Sequence, residues 1–578
     1  MERIKPIIYL IIGVGIPVLA YLLVGYHHVP IDGSLFTGIL FATILGIIVL
    51  FVRWGNRFYI SWFDYIVGVI FVYLASRGLF GGTYLSSLFW VSLLLLFVSI
   101  RALNPVIHIR LFFYTGLMGL CLLALQGYLQ YFGVLPSNNT FFDITGPFHN
   151  PALFGGFMSI LFVSIVAFFF LDRHNRGRKG ALMACLSCFP LIITIDSRAA
   201  LLALIASTGY ILFRGSSWCV KKKEKSKRLM LITLILILVP ILSWQYFKRT
   251  ESVQGRMLIW KVSWDMIKEK PVWGWGSNGF SANYMHYQAM YLQNWGIASE
   301  KRLAGNNYLV FNEPIRIAVA YGAVGLCFYL GGIYYLLFRF RPRQKLGITL
   351  KVAILAYIVQ GLFAYPTANY AILLWMAILF ALAVRELARK NHCIKLSIQR
   401  KGLGRVFLLI AICFITIGIF DQWRSHRLFV QVWQNRRHYS ADQHLGFLQS
   451  LQTPLQQNAR YLAYYAQTLF KNNQYAECIA VLQKWVNIKP VNEAYILWGD
   501  CLYALSSFHK AEQMYIYANA MVPSRQRTRV RLAILYKNMG KWEEGRSLAR
   551  QVLEEDVKIY SFETYELHQQ LRDAFNIY

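Results

Sequence analysis

The chain has 578 residues, of which 57% are hydrophobic and 15% charged, and its mean hydropathy is +0.42. Soluble domains carry about 25% charged residues, so this composition argues against a soluble enzyme and favours a polytopic membrane protein. Lysine and arginine outnumber aspartate and glutamate by 59 to 27, but they cluster in particular loops between apolar segments, which argues against nucleic-acid binding.

Thirteen apolar segments predict membrane-spanning helices, because a span needs about 20 predominantly apolar residues. The segments are 7–25, 35–52, 59–76, 84–100, 111–132, 150–171, 181–195, 199–213, 229–247, 314–338, 349–365, 368–384 and 406–420. The sequence therefore predicts an all-α protein with a polytopic membrane domain of about 13 spans over residues 1–420. A connector at 421–453 and a helical domain at 454–578 follow it.

The loops between the predicted spans alternate in charge. The loops at 172–180 and 221–228 are rich in lysine and arginine, whereas those at 26–33 and 364–369 contain neither residue. The positive-inside rule then predicts a cytoplasmic N-terminus. It places the long polar loop at 248–312 and the C-terminal domain on the outer side of the membrane.

The loop at 248–312 is the one long hydrophilic stretch between predicted spans. It contains isolated basic residues, many aromatic residues and a Gly-Trp-Gly turn at 274–276. This mixture suits a binding surface better than a tether, so we predict that the loop forms part of the reaction site.

Residues 454 to about 560 resemble a tetratricopeptide array of about three units. Small residues recur at steps of 33 and 34 residues, which is close to the period of such repeats. They are Ala466, Gly499 and Ala533, and in a second series Cys478, Ala511 and Gly545. Small side chains at these positions let the helices of each hairpin pack closely. The resemblance implies docking of a protein partner or of the acceptor, and the alternative is a cap that packs on the membrane domain.

Metal and cofactor signatures are absent from the sequence. It contains no phosphate-binding glycine loop ending in Gly-Lys-Ser/Thr, no His-Glu-x-x-His and no Asp-x-Asp. We therefore expect no metal and no cofactor, and phosphate binding would fall to arginine and lysine. Cys478 and Cys501 can form a disulfide in an oxidising compartment, but their spacing alone leaves that pairing open.

Four segments resemble the O-antigen ligase superfamily, which includes lipopolysaccharide O-antigen ligases, O-antigen polymerases and bacterial protein O-oligosaccharyltransferases. Their order, their spacing and their common placement on the predicted outer side carry the resemblance, which implies a bacterial inner membrane whose outer side faces the periplasm. The segments are Gly146–Pro151 with Gly155 and Gly156, Asp196–Ala200, Gly255–Trp260 followed by Lys270–Gly276, and Asn312–Arg316 followed by Tyr321–Gly325. The resemblance implies transfer of an oligosaccharide from a polyprenyl diphosphate carrier to an acceptor hydroxyl.

The resemblance assigns the carrier diphosphate to Arg198 and Arg256. A diphosphate that departs without a metal needs fixed positive charge, and a planar guanidinium binds two phosphate oxygens at once. The alternatives are an interfacial anchor for Arg198 and an ordinary solvated residue for Arg256.

The sequence differs from the family at the group that would activate the acceptor hydroxyl. Ligases of the family typically have a histidine before the asparagine, whereas Phe311 precedes Asn312 here. Glu313 is one replacement candidate, although it can instead pair with Arg316 three residues later. His286 and His149 are the others, and a lone histidine is more often a hydrogen-bonding loop residue.

Four further residues are candidates for substrate binding. They are Trp260, Lys261, Trp275 and Asn312. Trp275 can stack on a sugar face or anchor the loop, Lys261 is by default a surface charge, and Asn312 can bind substrate or cap the next helix. We therefore predict a metal-independent glycan transferase of the ligase type with a lipopolysaccharide or protein acceptor. The alternatives are a polysaccharide polymerase of the same superfamily and, in another class, a transporter or assembly scaffold.

Overall fold

The structure is a computed structural model, and it describes residues 58–60, 62–80, 84–103, 109–171, 175–195, 197–215, 250–340, 342, 344–388, 394–396, 417, 420–436, 438–555, 557 and 560–577. The chain divides into two compact units, each built from two separate stretches of sequence. The first unit comprises Met1–Arg249 and Phe311–Trp423, and the second comprises Thr250–Val310 and Arg424–Tyr578.

The first unit is α-helical, with one pair of three-residue strands. Its helices are α1 (Trp62–Phe80), α2 (Tyr84–Leu103), α3 (Ile109–Tyr131), α4 (Pro151–Phe170), α5 (Asn175–Thr194), α6 (Arg198–Gly215), α10 (Glu313–Tyr334), α11 (Lys345–Gly361) and α12 (Tyr370–Ala388), with α7 to α9 lying in the second unit. Strands β1 (Phe58–Ile60) and β2 (Ile394–Leu396) pair antiparallel. A π-helical turn (Tyr335–Arg339) follows α10, and a 3₁₀ turn (Pro366–Ala368) precedes α12.

The second unit consists of helices joined by loops in its described residues. Its helices are α7 (Thr250–Glu269), α8 (Gly279–Asn294), α9 (Ala298–Leu303), α13 (Ala441–Ser450), α14 (Ala459–Lys471), α15 (Tyr475–Ile488), α16 (Asn492–Ala504), α17 (Phe508–Met521), α18 (Gln526–Asn538), α19 (Trp542–Glu554) and α20 (Phe562–Phe575). Residues 420–434 form a further helical segment that crosses the boundary between the units.

The core of the first unit forms around Trp375, which is fully buried. Its ring stacks on Phe112 with 5.1 Å between centroids, and its Nε1 donates to Ser164 Oγ at 3.3 Å. A buried indole is stable when its N–H finds a partner, so this side chain ties α12 to α3 and α4. Helix α4 is the central helix of the unit, because it packs against α5, α6 and α11.

Nine of the thirteen predicted spans fall on described helices, and the segments 7–25, 35–52 and 229–247 lie outside the described residues, as does nearly all of 406–420. Three described helices are long and apolar enough to cross a membrane by length and composition: Ile109–Tyr131, Pro151–Phe170 and Glu313–Arg339. Four more are apolar but shorter. The all-α prediction is confirmed, whereas the number of thirteen spans stays a prediction.

The repeat prediction is confirmed by the helix boundaries of the second unit. The first helices of three successive hairpins begin at Ala459, Asn492 and Gln526, and the second helices begin at Tyr475, Phe508 and Trp542. Both series advance by 33 and then 34 residues, as the sequence predicts. Helix α20 follows the third hairpin and packs on α18 and α19, so it closes the end of the array.

The predicted small residues lie where the helices of a hairpin meet. Ala466 and Ala533 are fully buried, and a side chain at Gly499 would overlap the ring of Tyr515 on the next helix. A Cβ at Gly545 would come within 2.9 Å of the Ala533 carbonyl oxygen. Close approach of the helices therefore requires these small residues.

Cys478 and Cys501 are both buried, and both are free thiols in this structure. The Cys478 thiol donates to the Ala466 carbonyl at 3.2 Å. The hydrogen bond with Cys478 and burial both raise the pKa of the Cys501 thiol, which keeps it protonated.

Candidate active site

Gln130 organises the loop of residues 132–150 that leads into α4. Its Oε1 accepts from the backbone N–H groups of Thr145 at 3.0 Å and Gly146 at 2.7 Å. Gly146 has a φ of +56°, and a side chain there would overlap the ring of Phe154. The backbone conformation and the close approach of the Phe154 ring therefore explain why residue 146 is a glycine.

His149 lies immediately before the N-cap of α4. The cap is Asn150, whose Oδ1 accepts from the Ala152 N–H at 2.7 Å. The His149 side chain is exposed, and its backbone carbonyl accepts from Asn139 Nδ2 at 3.2 Å. Its imidazole has no hydrogen-bond partner in the part of the chain that the structure describes. A reacting group can thus approach the ring from solvent.

Arg198 is the first residue of α6, and Ser197 before it packs against α4. A Cβ at Gly155 would lie 2.8 Å from the Cβ of Ser197, so glycine allows the start of α6 to approach α4. Ser197 is only 3% exposed, and its Oγ has no partner among the described residues. Arg198 is half-buried, and none of the described residues forms a hydrogen bond or an ion pair with it. A guanidinium without a partner among the described residues thus lies at the positive end of a helix.

Asn312 is the N-cap of α10. Its Oδ1 accepts from the Ile315 N–H at 3.0 Å, and its Nδ2 donates to the Leu362 carbonyl at 3.1 Å. Phe311 before it has a φ of +57°, and its ring lies edge-on to that of Tyr365 with 5.2 Å between centroids. Both polar atoms of the Asn312 amide are therefore engaged in fixing the start of the helix.

Glu313 is fully buried at the start of α10. Its Oε2 accepts from Arg316 Nε at 2.7 Å, and its Oε1 accepts from the Thr367 N–H at 3.1 Å and from the Thr367 hydroxyl. The pairing of Glu313 with Arg316 that the sequence left open is thus present, and Thr367 adds a second partner.

Helix α10 is interrupted within the Tyr321–Gly325 segment. Gly322 has a φ of +63° and a ψ of −162°, a conformation that is essentially restricted to glycine. The Tyr321 carbonyl accepts from the hydroxyl of Tyr73 at 3.1 Å. A side chain at Gly325 would overlap the Tyr321 side chain, so both glycines of this segment have structural reasons.

Arg256, Trp260 and Lys261 lie on α7 of the second unit. Arg256 is half-buried in the second turn. Trp260 Nε1 donates to the Val310 carbonyl at 2.9 Å, and Lys261 forms an ion pair with Glu300 at 2.7 Å. The hydrogen bond to Glu300 raises the pKa of Lys261. Trp260 and Lys261 thus connect α7 to the segment that follows α8.

Trp275 anchors the turn at 274–276. Its Nε1 donates to the Met266 carbonyl at 2.9 Å, and Lys270 Nζ lies 3.7 Å from the centroid of its ring. Gly274 and Gly276 have φ values of +66° and +90°, which glycine adopts without strain. These contacts favour the anchoring interpretation of Trp275.

His286 lies on α8 and faces the repeat helices. Its Nδ1 forms a hydrogen bond with the Tyr517 hydroxyl of α17. Burial lowers the pKa of the His286 imidazole, because it disfavours the charged form. Gln288 on the same helix donates to the Met521 carbonyl at 2.7 Å, so α8 is fastened to α17 by two side chains.

Comparison with protein-family models finds two matches. Residues 181–330 match the family model described as O-antigen ligase. The resemblance to O-antigen ligases is thus confirmed over this range. It includes Arg198, Arg256 and Asn312, whereas His149 lies before it. Residues 438–518 match the model described as anaphase-promoting complex, cyclosome, subunit 3, which agrees with the helical repeats. The comparison with curated proteins gives no match.

Comparison with solved structures returns MamA, yeast Tom70 and the APC/C hetero-tetramer Cut9–Hcn1. MamA is 16% identical, and the match covers 25% of this chain and 89% of the MamA chain, at a TM-score of 0.21. Tom70 is 10% identical, and the match covers 83% of this chain and 95% of Tom70, at a TM-score of 0.24. Cut9–Hcn1 is 12% identical, and the match covers 99% of this chain and 98% of the matched chain, also at a TM-score of 0.24. Scores this low support no conclusion about fold or function.

The predicted site residues are divided between the two units. His149, Arg198, Asn312 and Glu313 belong to the first unit, whereas Arg256, Trp260, Lys261, Trp275 and His286 belong to the second. Sequence reasoning missed Thr367 and Tyr517 as partners of Glu313 and His286, because neither lies in a recognisable motif. Within the described residues, no group of three or more His, Cys, Asp or Glu side chains is placed to hold a metal ion.

Proposed function

We propose that the protein is a membrane glycan transferase of the O-antigen ligase and polymerase superfamily. It transfers an oligosaccharide from a polyprenyl diphosphate carrier to an acceptor hydroxyl on the periplasmic side of a bacterial inner membrane, without a metal. The match of residues 181–330 to the O-antigen ligase model supports the superfamily. The donor, the side of the membrane and the acceptor are proposals that rest on the resemblance and on the following residues.

The observation that carries this proposal is the position of Arg198. Its guanidinium has no partner among the described residues. Arg198 also begins a helix, and the first backbone N–H groups of a helix lack helical partners. A helix N-terminus and the guanidinium beside it together favour an anion with several oxygens. We assign Arg198 to the carrier diphosphate, whose developing negative charge it stabilises as the glycosidic bond breaks.

Arg256 is the second proposed diphosphate ligand. The residue before it, Gly255, has open space where a Cβ would stand, since no atom lies within 4 Å of that position. Packing against the described residues therefore does not explain this glycine, which is otherwise unfavourable inside a helix. Close approach of a substrate to the backbone beside Arg256 does explain it.

We assign the acceptor-activating role to His149 among the three candidates. A general base must reach the acceptor hydroxyl within about 3.2 Å. The exposed imidazole of His149 leaves that position open. Glu313 is enclosed by Arg316 and Thr367, and His286 is hydrogen-bonded to Tyr517.

A large acceptor, such as lipopolysaccharide or a protein, fits the helical repeats better than a small one. Repeat arrays of this type present extended surfaces to partners. In this proposal Trp260, Lys261, Trp275 and Asn312 shape the substrate path by holding backbone segments. Polymerisation, in which the acceptor is the end of another glycan repeat unit, is the alternative within the superfamily.

The test is transfer by the purified full-length protein in liposomes that contain a polyprenyl-diphosphate oligosaccharide. Lipopolysaccharide core, a second carrier-linked unit and a serine-rich protein serve as separate acceptors. We expect Arg198→Ala and Arg256→Ala to lower kcat/KM by about 100-fold or more, as loss of one charge-stabilising contact typically does. Lysine at either position should restore part of the rate, because it keeps the charge but loses the bidentate geometry.

Arg302→Ala is the matched control, because Arg302 is an exposed arginine of the same polar segment as Arg256. Full activity of both alanine variants would refute the diphosphate assignment. Gly255→Ala provides an independent check: it should stabilise α7 by about 0.5–1 kcal/mol and yet raise the KM for the donor. An unchanged KM would remove the argument for substrate approach at this glycine.

A further inference from the structure

The carboxylate of Glu313 is fully buried, and both of its oxygens accept hydrogen bonds from neighbouring residues. Oε2 binds Arg316 Nε at 2.7 Å, and Oε1 receives both the N–H and the hydroxyl of Thr367. The Glu313 side chain is 0% exposed, and a Cβ at Gly361 would lie 3.1 Å from its Cγ. An acceptor hydroxyl cannot reach either oxygen without displacing one of these partners.

Three consecutive residues connect the start of α10 to the loop of residues 362–369. Phe311 places its ring edge-on to Tyr365, Asn312 donates to the Leu362 carbonyl at 3.1 Å, and Glu313 accepts from Thr367. The loop is thereby held along its length rather than at one point. Glu313 supplies the charged contact, which is the strongest type of the three.

The same loop and the end of α11 contact the beginning of α4. Asn369 Nδ2 donates to the Leu153 carbonyl at 3.0 Å, and Gln360 Nε2 donates to the Gly156 carbonyl at 2.9 Å. A small pocket lies between Ala152 and Leu153 of α4 on one side and Tyr365 of the loop on the other. Glu313 is thus linked through this loop to the helix that begins two residues after His149.

We propose that Glu313 is a positioning residue, which with Arg316 and Thr367 holds the 362–369 loop and, through it, the start of α4 beside His149. This inference rests on the proposed function, because His149 is the acceptor-activating group in that proposal. Both carboxylate oxygens of Glu313 keep these partners throughout the reaction. A carboxylate that is paired and hydrogen-bonded on both oxygens suits this role better than proton transfer.

The experiment uses a neutral replacement of the ion pair in the full-length protein. Glu313→Gln alone leaves Arg316, whose side chain is only 23% exposed, without its counter-charge, which is destabilising. We expect this variant to lower kcat by about tenfold or more through misplacement of His149. The double variant Glu313→Gln with Arg316→Gln removes both charges and lets the two amides bond to each other. It should recover kcat to within a few-fold of wild type, with the pH dependence of kcat unchanged.

Thr367 gives a second readout that does not disturb the ion pair. Thr367→Val removes only the hydroxyl, whereas Thr367→Ser keeps it. Valine should lower kcat by about three- to tenfold, since the lost bond goes to a charged group, and serine should preserve it. Equal rates for the valine and serine variants would count against the positioning role.

The outcomes separate this inference from the proposed function. If the double variant folds, as judged by thermal unfolding, but remains as inactive as Glu313→Gln, then Glu313 takes part in proton transfer and the inference is wrong. His149→Asn tests the underlying proposal, because it should abolish transfer in both the wild-type and the double-variant background. If His149→Asn keeps full activity while the double variant is rescued, the base assignment fails but the structural role of Glu313 survives.

Discussion

The two units hold their candidate site segments in different ways. In the first unit, the 362–369 loop is fixed by residues 311–313, about 50 residues away in sequence, and by the neighbouring helix α4. In the second unit, the segment Thr250–Val310 is fixed by repeat helices that lie far along the chain. His286 and Tyr517 are separated by 231 residues, and Asn306 bonds to Asn492 across 186.

This difference shows that the long polar segment is a structural part of the repeat domain. Asn306 Oδ1 accepts from the Asn492 N–H at 3.2 Å, and Ser524 Oγ donates to the Ala304 carbonyl at 3.2 Å. Lys489 Nζ lies 3.8 Å from the centroid of the Tyr308 ring. The repeats therefore support the segment that carries Arg256, in addition to any role in docking a partner.

Removal of residues 441–578 should have the largest effect on this arrangement. Helix α8 packs on α15 and α17, so its apolar face and the partners of His286 and Gln288 would be lost. Hydrogen exchange of the truncated protein should show complete loss of protection in 279–303 and retained protection in α4. Deletion of residues 560–578 alone is the control, because α15 and α17 remain. Persistent protection of α8 in the longer truncation would show that the polar segment folds without the repeats.

A single methyl group in the repeat core should weaken the second unit alone. Gly499→Ala places a Cβ against the ring of Tyr515, and overpacking of this kind costs about 1–3 kcal/mol. Gly446→Ala is the matched control, since no atom lies within 4 Å of a Cβ there. We expect hydrogen exchange to quicken in α8 as well as in α16 and α17 for the first variant. If exchange became faster only in the repeat helices, the stability of the polar segment would not depend on the repeats.

The corresponding change in the first unit is Gly322→Ala. Gly322 has a φ of +63° and a ψ of −162° within α10, so alanine there should cost about 1–3 kcal/mol of backbone strain. Gly331→Ala, in the same helix with open space around its Cβ position, should be neutral or slightly stabilising. Thermal unfolding in detergent, followed by exchange of α10 and α8, measures the difference. Equal stability of the two variants would argue against the observed break in α10.

Acidification should produce the smallest effect, and it should act on the second unit. Burial lowers the pKa values of His286, His444 and His568 in the folded chain. The unfolded chain, in which a histidine has a pKa of about 6.5, therefore binds protons first as the pH falls. Stability of the second unit should decrease below about pH 6.5 and level off once the folded-state imidazoles are protonated.

Hydrogen exchange at pH 7 and pH 5.5, corrected for intrinsic rates, measures this loss of stability. Replacement of His286, His444 and His568 by glutamine should flatten the pH dependence. His509→Gln should not, because that side chain is 87% exposed. If the pH dependence remains after the triple replacement, other titratable groups cause it.

Features encoded by local sequence were predicted well. The 33- and 34-residue steps of small residues indicated the hairpins, and the apolar runs indicated nine described helices of the first unit. The motif residues Gly146, Gly322 and Asn312 also match local requirements, namely positive φ angles and a helix cap. Such features depend on neighbours within a few turns, so residue type and spacing suffice to reveal them.

The sequence by itself determined an all-helical chain with apolar helices, a three-hairpin repeat and a set of candidate site residues that resembles the O-antigen ligases. Only the tertiary structure decided that Thr250–Val310 folds with the repeats, and that Glu313 is enclosed by Arg316 and Thr367 while His149 stays exposed. Burial and partner choice depend on contacts between residues 54 to 231 positions apart, and no local pattern of polarity encodes such contacts. The polar loop that looked like an independent surface in the sequence is, for this reason, a part of the repeat domain.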